Sequence, residues 1–184
     1  ASGIHPKEIA VEAGYAYEVI KNFSVSATFK YLFSDMGRIG NSRGASSVAF
    51  DLGVLYKCEI NDWEGAGWSV GLHVSNLGPK INYLTSKDAL PATVKVGGAA
   101  DLPFLQMHKL TLTADLGYRL SPADVQALSV SAGAEYAWRE LVMLRGGYHC
   151  GDKKKGDASY ATAGAGVEYA GVRLDFAWLF AGHE

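Results

Sequence analysis

The chain has 184 residues, a net charge of −2, 48% hydrophobic and 11% aromatic residues, and 22 glycines. That length suits one domain; the apolar and aromatic content excludes a disordered chain, and the balanced charge removes the electrostatic case for nucleic acid, which requires a basic face. No run approaches the roughly 18 consecutive apolar residues of a transmembrane helix, which excludes a helical membrane protein but not a β-barrel, whose strands turn every second residue inward. The sequence opens on Ala1 with neither an initiator methionine nor an apolar leader, the pattern expected of a mature or truncated product.

The first predicted element, KEIAVEAGYAYE, sets Ile9, Val11, Ala13, Tyr15 and Tyr17 on one face and Glu12, Gly14 and Glu18 on the other. After the turn VIKN, FSVSATFKYLFS alternates Phe23, Val25, Ala27, Phe29, Tyr31 and Phe33 with Ser24, Ser26, Thr28 and Lys30. SVAFDLGVLYK does the same with Val48, Phe50, Leu52, Val54 and Tyr56 against Ala49, Asp51, Gly53, Leu55 and Lys57. WSVGLHVS follows with Trp68, Val70, Leu72 and Val74 against Ser69, Gly71 and His73. ATVKVGGAAD, KLTLTADLGYR, LSVSAGAEYA, ELVMLRGGYH, YATAGAGVEYA and VRLDFAWLF complete about ten strands, nearly all with a period of two.

Connections alternate in length. VIKN, CEINDWEGAG, DLPFLQMH, AWRE and AG are mostly compact, whereas DMGRIGNSRGAS, NLGPKINYLTSKDALP, LSPADVQA and CGDKKKGDAS tend to be longer and rich in turn residues. Short turns at one end and longer loops at the other describe an up-and-down meander inserted from one side of a membrane. The rival is a soluble β-sandwich, and strand length decides between them. Alternation persists for roughly 10 to 12 residues, against about 5 to 6 in soluble sheets and about 9 to 11 in strands that span a bilayer.

Side-chain chemistry points the same way, because Lys or Arg on the lipid face near the midplane costs about 2 to 4 kcal/mol. Lys30, Asp51, Lys95, Asp115, Arg119, Glu135, Arg145, Glu168, Arg173 and Asp175 all fall on the parity opposite the large apolar residues. Tyr17, Phe23, Tyr56, Trp68, Tyr136 and Tyr169 gather at the short-turn ends, with Phe33, Tyr118, Tyr148 and Phe180 near the others. Such girdles form where one end of a ring is apolar and the other wet. The expected fold is therefore all-β, an antiparallel up-and-down transmembrane β-barrel. Glu12, Lys30, Asp51, Asp115, Arg145 and Asp175 are expected to line its lumen, neutralising one another and holding the wall rigid.

No catalytic residue and no metal site is expected. His5, His73, His108, His149 and His183 lack ligand spacing, no GxSxG elbow occurs, and nothing in the spacing positions a Ser/His/Asp triad. The pairs in VGGAA and RGGYH precede no helix, so they mark close strand approach rather than a phosphate loop. Cys58, just past a strand at the short-turn end, and Cys150, opening a long loop, would sit about 25 Å apart across the wall. That exceeds the roughly 7 Å limit for a bridge, so no disulfide and no cofactor is expected.

The runs ASSVAFDLGVLYK, WSVGLHVSNLGPKINY, LPATVKVGGAA and HKLTLTADL resemble the PorV and PorQ family of outer-membrane proteins, related to the FadL fatty-acid transporter. The similarity spans about Ile9 to Phe180, is nearest the PorV side, and is most specific in SNLGPKI with the downstream LPA. It implies a type IX secretion system component of Bacteroidetes, within a barrel of about fourteen strands. Residues 1–184 would then be a single barrel domain, a fragment lacking N-terminal strands and the closing C-terminal strand. It implies a carrier without chemistry of its own. Such a carrier accepts the C-terminal signal domain of secreted cargo after the translocon and delivers it to a surface attachment complex that anchors the product to lipopolysaccharide.

The working surface is expected in the long loops, which carry binding on a rigid scaffold more often than strands do. Asn76, Pro79, Lys80, Tyr83, Lys87 and Pro91 in the longest loop, and the cationic tip Lys153, Lys154 and Lys155, are the candidate cargo or partner contacts. The structural reading of the same loop is a segment folded back to cover the barrel mouth. The functional alternative is a FadL-like transporter of hydrophobic small molecules, which requires an apolar internal pocket.

Overall fold

The computed structural model describes residues 7–35, 45–82 and 87–181. Its ten long strands are β1 (Lys7–Ile20), β2 (Phe23–Asp35), β3 (Ala45–Glu59), β4 (Gly67–Leu77), β7 (Thr93–Phe104), β8 (His108–Arg119), β9 (Leu128–Trp138), β10 (Val142–Cys150), β11 (Tyr160–Tyr169) and β12 (Val172–Ala181). Two further strands, β5 (Ile81–Asn82) and β6 (Lys87–Asp88), pair only with each other inside the longest loop. At two residues each they are too short to leave a periodic trace in the sequence.

The ten long strands pair antiparallel in chain order into one sheet, β1-β2-β3-β4-β7-β8-β9-β10-β11-β12. This is the up-and-down meander expected. Among the described residues β1 and β12 stand at the two edges and do not pair with each other, so the sheet is open yet compatible with a barrel wall. Among the described residues no helix is long and apolar enough to cross a membrane.

Register follows from the pleat, because a slip of one residue would move every large side chain to the opposite face. Phe23 lies opposite Tyr56 and Phe29 opposite Phe50, so large residues meet large residues on one face. The Phe29 and Phe50 rings are 5.4 Å apart, and Tyr56 and Trp68 meet at 5.6 Å, within the range of favourable aromatic pairs. On the other face Glu12 lies opposite Lys30 and Arg145 opposite Glu135.

The outer face is apolar and uncovered: Tyr15 is 72% exposed, Phe176 61% and Trp178 64%, and among the described residues no large side chain is fully buried. An exposed apolar surface that runs across every strand far exceeds the few hundred square ångströms found on soluble monomers, and lipid is the solvent it fits. The buried side chains are mostly small, with Met143 and Leu90 the largest, and Ala45, Ser47, Ala49 and Asp51 all lie on the inner face of β3. β3 begins at Ala45 and runs through Cys58 to Glu59, so Cys58 pairs with Trp68 inside the strand rather than just past it. Cys58 and Cys150 are both free thiols.

Short-end turns carry the left-handed backbone that two-residue hairpins require. Arg139 and Glu140 have φ of 51° and 57°, closed by a bond from Leu141 N to Trp138 O at 3.0 Å. A non-glycine residue in this region costs about 1 to 2 kcal/mol. Glu140→Gly is therefore expected to stabilise the sheet by about 1 kcal/mol, read as a higher urea midpoint of the detergent-solubilised protein. An unchanged or lower midpoint would contradict a strained turn.

Candidate functional site

At the long-loop end the strand alternation of β4 breaks at Asn76. Its φ is 56°, and the β3–β4 register shifts between Phe50 and Leu52, a β-bulge that re-aims the chain. The segment that follows turns back over the inner face of β3. Gly78 sits so close to that strand that a Cβ would lie 2.2 Å from Val48 O and 3.2 Å from Ala49 Cα. Ser47 Oγ donates to Pro79 O at 3.3 Å, and Leu90 is buried beside Gly78.

Charged groups lock this arrangement. Asp51 Oδ1 accepts from Asn76 N at 2.8 Å, while Asp51 Oδ2 lies 2.7 Å from Lys30 Nζ. Lys30 also donates to Asn76 Oδ1 at 3.3 Å and lies 3.9 Å from Glu12. Asn76 Nδ2 donates to Pro91 O at 3.2 Å, tying the two ends of the folded-back segment together. His73 Nε2 stands 3.9 Å from Asp51. Four strands thus contribute to one latch, in which an aspartate is buried but has both oxygens engaged, as burial demands.

The expected loop residues separate into two roles. Asn76 is a structural clasp, and the carbonyls of Pro79 and Pro91 are acceptors within it. Lys80 and Pro91 are exposed on the platform so formed, and Lys87 enters β6 opposite Asn82. Tyr83 lies outside the described residues.

Of the expected lumen charges, Glu12, Lys30 and Asp51 meet in the latch. Arg145 and Asp175 meet in a second cluster, where the Arg145 guanidinium bridges Glu135 and Asp175, and Arg173 Nε donates to Asp175 at 2.8 Å. Asp115 joins neither, and its Oδ1 is buried without a hydrogen-bond partner among the described residues.

Lys153, Lys154 and Lys155 form a single 3-10 turn at the same end of the sheet, capped by Asp152, whose side chain accepts from Lys154 N at 3.0 Å. Gly156 leaves it with a φ of 77°, a left-handed exit that favours glycine. Two contacts fasten this loop to the sheet: Arg119 Nη1 donates to Lys155 O at 3.1 Å, and His149 Nε2 lies 2.9 Å from Asp157 Oδ1. His149 Nδ1 is 3.0 Å from Ser131 Oγ, so the fold assembles a Ser131–His149–Asp157 relay that the sequence spacing had not positioned. Spacing hid it because Ser131 and His149 pair across β9 and β10 while Asp157 returns from the loop. Stacked on Tyr160 at 4.8 Å, His149 holds that loop down. Among the described residues no group of three or more His, Cys, Asp or Glu side chains converges to hold a metal ion.

A family model described as type IX secretion system protein PorV matches residues 2–126. The chain belongs to the PorV family. The matched span runs from β1 through β8 and contains the whole Asn76 latch, while β9 to β12 continue the same meander beyond it. No curated protein matches the chain. PorV membership makes the chain a type IX secretion system component, from a family of secretion proteins rather than a known enzyme family. It implies interactions within that system, and together with the all-β fold it is consistent with an outer-membrane β-barrel.

Proposed function

We propose that the chain is a non-catalytic carrier in the bacterial outer membrane, with its long loops extracellular. Those loops bind the C-terminal signal domain of secreted cargo received from the translocon and pass it to the surface attachment complex. The observation that supports this reading is the clamped Asn76–Ala92 segment, which presents Lys80 and Pro91 on a platform fastened to β2, β3 and β4. Anchor residues such as Asn76 and Pro91, held in place before a partner arrives, spare the cost of ordering them on binding, about 0.5 to 1.5 kcal/mol per side chain. The neighbouring Lys153–Lys155 turn adds a cationic tip suited to lipopolysaccharide phosphates.

The test is a pull-down of the tagged full-length protein from detergent-solubilised outer membranes, with mass spectrometry of what copurifies. Recovery of secreted proteins sharing a C-terminal β-domain is expected, and a Lys80→Ala, Tyr83→Ala double variant is expected to recover several-fold less at unchanged barrel yield. Equal recovery by the variant would remove these two residues from the contact. A FadL-like transporter is the second reading, favoured by a groove of about 490 Å³ lined by Ser24, Ser26, Gly53, Leu55, His73 and Gly97. That volume lies in the range of small-molecule sites, about 300 to 1,000 Å³. Recovery of the barrel alone with bound fatty acid would decide for it.

A further inference from the structure

Most lumen-face cations in this sheet have a carboxylate within reach. Lys30 has Asp51, Lys109 has Asp101, Arg145 has Glu135 and Asp175, and Arg173 has Asp175. Lys57, Lys95 and Arg119 form no ion pair among the described residues; Lys57 stands at the short-turn end beside the Asp101–Lys109 pair, whereas Lys95 and Arg119 line one cavity. The register places them at the long-loop end of neighbouring strands, with Thr93 opposite Arg119 and Lys95 opposite Gly117. Gly117 lets them converge. A Cβ there would lie 3.5 Å from Lys95 Cγ and 3.6 Å from Lys95 Cε, so the lysine stem lies across β8 over the bare glycine.

Both cations line one cavity of about 190 Å³, together with Thr93, Ser129, His149 and Asp157. Asp157 is the one carboxylate in that lining, and it is already engaged by His149 Nε2 at 2.9 Å. Asp115, the next same-face position toward the middle of β8, makes no ion pair with Lys95. Arg119 is held by its bond to the Lys155 carbonyl, which leaves further guanidinium N–H groups to donate. Two like charges gathered at the mouth of a lumen repel each other unless an anion lies between them.

We propose that this cavity is an oxyanion site, in which the Arg119 guanidinium and the Lys95 ammonium bind a carboxylate or phosphate group and the Thr93 and Ser129 hydroxyls complete its shell. Arginine donates to such groups through two parallel N–H bonds, and lysine adds a point charge. The volume suits an anionic group and its waters; a drug-sized ligand needs about 300 Å³ or more. The site is independent of the cargo-docking reading, since it lies on the β7–β10 side of the mouth, away from the Asn76 latch on β2–β4.

Full-length protein in non-ionic detergent would be titrated calorimetrically with inorganic phosphate and, separately, with acetate at low ionic strength. Saturable one-site binding of at least one probe is expected, weakened about tenfold or more in Lys95→Met and in Arg119→Met and abolished in the double variant. Phosphorus NMR of the solvent-extracted protein separates the sources. A phosphodiester lipid that copurifies with the wild type but not the double variant assigns a headgroup, and its absence with phosphate or acetate binding assigns a free anion or a carboxylate. Wild-type protein that binds neither probe saturably and retains no lipid, or a double variant that binds unchanged, overturns the proposal.

Discussion

Asp51→Ala is expected to destabilise the sheet by about 3 kcal/mol and to release the Asn76–Ala92 segment, the cost of stranding a near-buried cation after its partner is removed. Asp51 is 7% exposed, with Lys30 at 2.7 Å and Asn76 N at 2.8 Å. Without the carboxylate, the Lys30 ammonium keeps only Asn76 Oδ1 and the more distant Glu12, and the Asn76 amide loses its acceptor. Trypsin cleavage after Lys80 and Lys87 reads the release, and the urea midpoint reads the stability. Asp51→Asn retains an acceptor for Asn76 N while losing the charge, so its effect should fall between those of wild type and alanine. A native midpoint and native cleavage in Asp51→Ala would show that packing alone holds the segment.

Gly78→Val is expected to unseat the same segment by a different route. The added Cβ would meet Val48 O and Ala49 Cα, backbone atoms of β3 held by its pairing with β2, and Leu90 Cδ1 at 2.9 Å. Neither backbone atom gives way cheaply, and overpacking of this kind costs about 1 to 3 kcal/mol. The segment is the softer partner, so it should lift while β3 and β4 stay paired. Hydrogen exchange would show this as lost protection confined to residues near Gly78 and Leu90, with the strand amides of β1 to β4 unchanged. Protection lost throughout β3 would mean that the segment is integral to the wall. Under the cargo-carrier reading, the variant should also recover less cargo in the pull-down.

These two variants act where the sequence is least readable. The long strands are legible because nearly all repeat with a period of two, and their faces follow from parity alone: Phe29 and Phe50 fall on the large-residue face and Glu12 and Lys30 on the other with no information beyond the pleat. The latch has no such period. Gly78 meets Val48 and Ala49 some thirty residues upstream, and its requirement is for space rather than for a left-handed backbone. The sequence SNLGPKI marks this place as distinctive and names Asn76 and Pro79 as candidate contacts, but it does not reveal that the fold also engages them in closing the loop on itself. The Ser131–His149–Asp157 relay and the convergence of Lys95 and Arg119 were hidden for the same reason. Each joins residues from separate strands or from a strand and a returning loop.

The sequence by itself determined the number of long strands, their antiparallel order, and which face carries the large apolar side chains, because side-chain alternation is a local property that each strand states independently. Only the tertiary structure decided which inner charges pair and where the long loop lies. Partners across a sheet are selected by register, bulge and close approach, and those depend on residues distant in the chain.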